Sequence, residues 1–275
     1  MMIGGEFNTP ADWIRTGNAI STVDAYARTH AGAAPILVFP DVGGSFNNDT
    51  ECVDGPRGNM TTHLVDEVRP YVVSHFDADS SAANWGVVGW SMGGTCAVDL
   101  TVMHPEDFAT FEDIAGDIGP NAGTPQQTVD RLFGGNHAAY DAFNPVKVMA
   151  GHGRYLDVAG WFDESNSTAR HGHARPHGGQ RHPPGGWGNG NGHGGRGDGG
   201  DTGQELPAAR TLCADAERVG IECSIALQSG GHTWQFAESA FGDALGWLME
   251  RISPAAPPAP GIIAQTTGRA TPMVR

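Results

Sequence analysis

The sequence predicts an α/β fold, a mainly parallel sheet with helices on both faces. Three observations predict it: short apolar, often β-branched runs bounded by turn residues, helically spaced stretches between them, and the alternation of the two along the chain. The 275 residues suit one large domain, expected over 1–252.

The runs expected as buried strands are Ile36-Leu37-Val38-Phe39, Trp85-Gly86-Val87-Val88, Tyr155-Leu156-Asp157-Val158 and Ile221 to Leu227. Helical spacing covers Ala19 to His30, Met60 to Phe76, Thr95 to Met103, Pro207 to Val219 and Phe236 to Ile252. The last of these sets Phe241, Leu245, Leu248 and Ile252 on one face. Gly32 and Gly220 serve as helix stops, and Pro105 lies just past another. From position alone, Gly119 to Gly153 is expected to form a lid or pocket wall.

Two stretches do not suit a packed domain. From His171 to Gly203 the chain is dominated by Gly, His, Pro and Arg, with too little apolar surface to offset the entropy of ordering, so a disordered insertion is expected. Its histidines (His171, His173, His177, His182, His193) lack fixed ligand spacing, and no metal site is assigned to them. The Pro- and Ala-rich residues 253–275 are expected to be an unstructured tail.

Sixteen Lys and Arg against thirty-one Asp and Glu leave a formal charge of −15, which repels phosphate backbones and anionic lipid surfaces and argues against nucleic-acid binding. No apolar run reaches the roughly 20 residues of a membrane span, and the opening Met1-Met2-Ile3-Gly4-Gly5 has neither the basic start nor the apolar stretch of a signal peptide. Four cysteines (Cys52, Cys96, Cys213, Cys223) form no CxxC pair, so neither zinc nor thioredoxin-like chemistry is indicated. Cys213 and Cys223 fall on a helix and the strand after it, where a disulfide and two separate buried thiols are both open.

The chemistry lies in Gly89-Trp90-Ser91-Met92-Gly93-Gly94, a G-x-S-x-G match between a predicted strand and a predicted helix. A nucleophile on such a turn needs small neighbours because the backbone is strained there and flanking side chains would collide. Ser91 is the candidate nucleophile. The N–H of Met92, at the start of the helix, has no partner within the helix and can bind a developing oxyanion.

A serine hydroxyl needs a base, and the base needs a carboxylate to hold its tautomer. In the α/β-hydrolase fold these follow in the order Ser, acid, His. His232, in Gly230-Gly231-His232-Thr233-Trp234, lies between the last strand and the last helix and is the candidate base. The strand Arg154 to Gly160 is read as running into Trp161-Phe162-Asp163-Glu164-Ser165, which would put two carboxylates at a strand's C-terminal end, where sites of open α/β sheets gather. Asp163 is the candidate acid and Glu164 its rival.

These residues resemble the esterase family that includes esterase D, an S-formylglutathione hydrolase, and the antigen 85 mycolyltransferases. Gly89 to Gly94 is similar to that family's nucleophile elbow, Gly231-His232-Thr233-Trp234 to its histidine loop, and Val38 to Phe46 to the loop after the strand that precedes the nucleophile unit. The resemblance implies an α/β-hydrolase fold in which Met1 to Gly5 matches a core strand and glycine loop. Gly5 then donates the second oxyanion N–H, and the fold's first strands are missing from this chain. It implies a serine carboxylic-ester hydrolase acting on a small-molecule or lipid ester without cofactor, with a secreted or envelope location. Its alternatives are mycolyl-type acyl transfer to a sugar hydroxyl and a non-catalytic binding relative of the same fold.

Overall fold

The computed structural model describes residues 1–45, 48–166 and 203–252. In chain order, β1 (Met2–Ile3) leads through α1 (Pro10–Arg15) and α2 (Ala19–Thr29) to a small hairpin of β2 (Asp54–Gly55) and β3 (Gly58–Asn59). Helices α3 (Met60–Thr62) and α4 (Arg69–Phe76) precede β4 (Gly86–Trp90), α5 (Met92–Met103) and β5 (Thr110–Ile114). Helices α6 (Pro125–Phe133), α7 (His137–Phe143) and α8 (Pro145–His152) lead to β6 (Ala159–Ser165), followed by α9 (Glu205–Arg218), β7 (Glu222–Gln228) and α10 (Trp234–Ile252).

The main sheet has the order β1-β4-β5-β6-β7, with every pairing parallel. Every residue of β4 and β5 is buried, as a strand covered on both faces must be. The period of two sends Val87 to one face, with Phe111 and Phe162, under Val72, Leu100, Met149 and Leu212 of α4, α5, α8 and α9. It sends Val88 and Trp90 to the other, with Ile114, under Trp13, Val23, Phe241 and Leu245 of α1, α2 and α10.

Several expectations shift. The Ile36 to Phe39 run forms no ladder. It lies alongside β1, where the Val38 carbonyl accepts from the Met2 N–H at 2.7 Å. Strand β5 was not anticipated, because Thr-Phe-Glu-Asp-Ile carries two acids in a position that turns out to be fully buried. The expected strand at Tyr155 to Val158 is a turn, with Asp157 at φ 59° and Leu156 75% exposed. Tyr155 anchors that turn through its hydroxyl, which donates to the Val102 carbonyl at 2.7 Å. Strand β6 therefore begins at Ala159, and its pairing with β5 sets Asp163 opposite Ile114.

The helix expected over Met60 to Phe76 is broken into α3, a wide π turn (His63–Val68) and α4. The wide turn precedes Pro70, which has no N–H for an α ladder. Residues 119–153 fold into α6, α7 and α8, whose starts are capped by Thr124, Asn136 and Asn144. Of the two states left open for Cys213 and Cys223, the disulfide is the one formed. A second bridge, Cys52–Cys96, ties the loop before β2 to α5 across 44 residues, too far apart for spacing to suggest it. No described helix is long and apolar enough to cross a membrane. The expected insertion, apart from Gly203, and the expected tail lie outside the described residues.

The sheet buries an unusual load of acid. Glu112, Asp113 and Asp163 are each no more than 1% exposed. Burial pushes the Asp113 carboxyl up to about 8, opposed by the hydrogen bond from the Gly116 N–H, and pushes Asp163 up to about 7. Glu112 is raised well above its ordinary value, first by burial and then by the charge of Asp163. Such groups stay protonated in the fold while the unfolded chain ionises near pH 4. Stability is therefore greatest in mild acid and is lost as pH rises from about 4 towards 8. Urea titrations between pH 5 and 8.5 should show a falling midpoint, with a shallower fall in Asp113→Asn; a midpoint that rises with pH would contradict the assignment.

Candidate active site

The loop between β4 and α5 forms a tight elbow. Ser91 sits at φ 58° and ψ −121°, a conformation that costs a non-glycine residue of order 1–3 kcal/mol. Backbone crowding explains it. A Cβ on Gly89 would lie 1.7 Å from the Gly93 carbonyl oxygen, and one on Gly93 would lie 2.3 Å from the carbonyl oxygen of Ile3. Only glycines let α5 descend onto β4 and β1 at this distance. The Ser91 N–H completes the sheet ladder to the Ile114 carbonyl at 2.9 Å, while the hydroxyl projects beyond the strand ends.

His232 meets it there. Its Nε2 lies 2.9 Å from the Ser91 Oγ across 141 residues of sequence. The imidazole packs on the Trp90 ring at 4.2 Å between centroids, and Trp90, Trp234, Trp13 and Phe241 continue the aromatic wall into the α10 face. Thr233 precedes α10 and accepts from the Phe236 N–H, so the helix start fixes the residue after His232. The Ser165 hydroxyl donates to the Gly230 carbonyl at 2.5 Å and ties the histidine loop to the end of β6.

Among the described residues the Met92 N–H has no acceptor and faces the first turn of α5. Gly5 is buried against the nucleophile, since a Cβ built on it would lie 3.2 Å from the Ser91 Cβ. Its N–H, however, donates to Asn8 Oδ1 at 2.8 Å, and the next N–H along the loop, that of Glu6, makes no hydrogen bond among the described residues.

The two candidate acids lie in the C-terminal part of β6, where Asp163 is level with Ile114, the last residue of β5, which in turn pairs with Trp90 just before the nucleophile. Asp163 is fully buried, and its oxygens accept from Trp161 Nε1 and Gln228 Nε2, each at 2.8 Å, with no hydrogen bond to His232. Glu164, 1% exposed, is the next residue of the same strand. Another carboxylate, whose charge is linked to His232, is Asp117, in the loop after β5. Its backbone N–H donates to Thr95 Oγ1 at 2.9 Å, one turn into α5, and its Oδ2 accepts from Asn121 Nδ2 at 2.9 Å. Burial pushes its carboxyl up, against the Asn121 hydrogen bond and the His232 charge. Asp117 did not stand out in the sequence because the strand before it, β5, was not recognised.

Residues 7–173 match the sequence profile of the family named Putative esterase. The chain belongs to that family. An uncharacterized protein of Corynebacterium glutamicum is 35% identical over 167 residues, covering 59% of this chain and 39% of its own length. An esterase of Mycobacterium tuberculosis is 25% identical over 165 residues, covering 50% of this chain and 36% of its own. The chain thus spans less than half the length of these relatives. The S-formylglutathione hydrolase from Agrobacterium tumefaciens superposes with a TM-score of 0.62 at 16% identity, over 91% of this chain and 83% of that one. The fold is that of the α/β-hydrolases.

The elbow makes a direct prediction. Gly93→Ala must push α5 away from the Ile3 carbonyl, so the variant should lose at least about 2 kcal/mol in denaturant unfolding, or fail to fold. Wild-type stability in that variant would mean that the close approach is not a constraint.

Proposed function

We propose that the protein hydrolyses carboxylic esters through an acyl-enzyme on Ser91. The observation that carries this reading is the 2.9 Å contact between His232 Nε2 and Ser91 Oγ at a strained elbow. His232 takes the hydroxyl proton as Ser91 attacks the ester carbonyl. The carbonyl oxygen becomes an oxyanion, held by the Met92 N–H and by an N–H of the Gly5 loop. If Gly5 itself donates, the substrate oxygen displaces Asn8 Oδ1 from its N–H. His232 then returns the proton to the leaving alcohol, and a water activated by the same imidazole releases the acid.

In this reading the negative charge that favours the imidazolium comes from Asp117, and Asp163 acts through the packing of β6 and β7 rather than by contact with the base. The acid role expected of Asp163 remains open to its carboxylate, because each oxygen accepts one hydrogen bond, from Trp161 or Gln228, and keeps a further lone pair. Family membership supports the ester substrate, and the curated relative described as an esterase points to the same chemistry.

Fluorophosphonate labelling with mass spectrometry of the modified peptide should place the label on Ser91. Ser91→Ala should remove both the label and the turnover of a chromogenic ester while leaving the unfolding curve unchanged; turnover that survives in this variant would sink the assignment. Asp117→Asn should lower kcat/KM by about tenfold or more without unfolding the chain, since it removes a charge near the base. If Asp117→Asn is silent and Asp163→Asn removes activity from a folded protein, Asp163 is the acid.

A further inference from the structure

Asn8 grips the residue that lies against the nucleophile by both of its backbone polar groups. Its Oδ1 accepts from the Gly5 N–H at 2.8 Å, and its own N–H donates to the Gly5 carbonyl at 3.0 Å, which closes a β-turn from Gly5 to Asn8. Two glycines make room for this grip. A Cβ on Gly4 would lie 2.9 Å from the Asn8 Cβ, and one on Gly5 would lie 2.9 Å from Asn8 Oδ1 and 3.2 Å from the Ser91 Cβ.

Both ends of the turn are fixed. Before it, β1 pairs with β4 through Met2 and Ile3. After it, Thr9 caps α1, with its N–H donating to Asp12 Oδ2 at 2.6 Å and Pro10 in the first helical position. Trp13, fully buried in that helix, packs edge-on against Trp234 at 5.1 Å, two residues past His232. The peptide planes of the turn are therefore held from the same strand and the same aromatic wall that frame the nucleophile and the base.

In a trans peptide the C=O and the N–H point in opposite directions. With the Gly5 carbonyl drawn into the turn by Asn8, the Glu6 N–H points out of it, and among the described residues it has no acceptor. The Gly5 N–H is already taken. A substrate oxygen that used it would strip the Asn8 amide oxygen of its donor, whereas the Glu6 N–H has no such partner to lose. We infer that Asn8 is a positioning residue for the reaction at Ser91: it keeps the Gly5 N–H out of the chemistry and holds the Glu6 N–H ready as the second donor to the oxyanion, beside that of Met92. The inference rests on the esterase reading of Ser91.

The test uses a chromogenic ester, with kcat referred to the sites that a fluorophosphonate labels at completion. Asn8→Ala should lower kcat by about tenfold or more while KM stays within about twofold, the mark of a group that acts on the transition state. It should also weaken a trifluoromethyl ketone, whose adduct with Ser91 carries the oxyanion, by the factor that kcat/KM loses. A role in folding alone would lower the unfolding midpoint and leave kcat per labelled site unchanged, which overturns the inference. Glu6→Pro deletes the N–H at a turn position that suits proline, and should fall about 100-fold in kcat below Glu6→Ala, which loses the same side chain and keeps the N–H. If the Gly5 N–H is the donor instead, Asn8→Ala frees it and raises kcat, and Glu6→Pro matches Glu6→Ala; either result overturns the inference. Should Glu6→Pro not fold, the direction of the Asn8→Ala effect decides alone. A wild-type protein that forms neither label nor ketone adduct removes the esterase reading and the inference together, while an active wild type with an unaltered Asn8→Ala removes the inference only.

Discussion

Three backbone segments meet at van der Waals distance where the nucleophile sits, and the rest of the site depends on that meeting. Gly89 faces the Gly93 carbonyl, Gly93 faces the Ile3 carbonyl, and Gly5 faces Ser91, each at a separation that leaves no room for a further methyl group or barely allows one. Helix α5 therefore rests on β1 and β4 by backbone contact, and Ser91 is left in a conformation that other residue types and looser turns avoid. The same geometry opens the Met92 N–H and brings the Gly5 loop alongside. One packing constraint thus places the nucleophile and the groups proposed to stabilise its oxyanion.

The base is delivered by a different kind of force. His232 belongs to a short loop, but α10 beyond it buries Phe236, Phe241, Leu245 and Leu248 against the sheet, and its first residue, Trp234, packs on Trp13 and Trp90. At roughly 1.5–3 kcal/mol for each large apolar side chain, this face outweighs the entropy of holding one imidazole in place. Hydrophobic burial far from the chemistry sets the Ser91 to His232 distance.

Electrostatics in this protein runs against the usual economy of a core. Carboxylates fill positions in β5, β6 and α5 that apolar side chains could occupy, and burial holds their protons on. The formal charge of −15 counts these acids as ionised, so the folded chain carries less negative charge than the sequence suggests. Part of the acid is turned inward, around the helix that carries the nucleophile.

Local pattern was enough for the G-x-S-x-G turn, the His232 loop, the α/β class and most of the helices, because each is written in neighbouring residues: glycine spacing, a 3.6-residue period, a helix start. Residues Thr110 to Ile114 hid their strand behind Glu112 and Asp113, and an apolar run at Tyr155 to Val158 hid a turn. Strand pairing decides both, since a ladder with β4 draws in β5 despite its acids, and β5 then sets the register of β6. That register, which no stretch of sequence encodes alone, sets Asp163 level with Ile114, the last residue of β5. Short-range sterics and periodicity were legible in the chain; the register of β6, and that Cys52 finds Cys96, were decided by long-range packing.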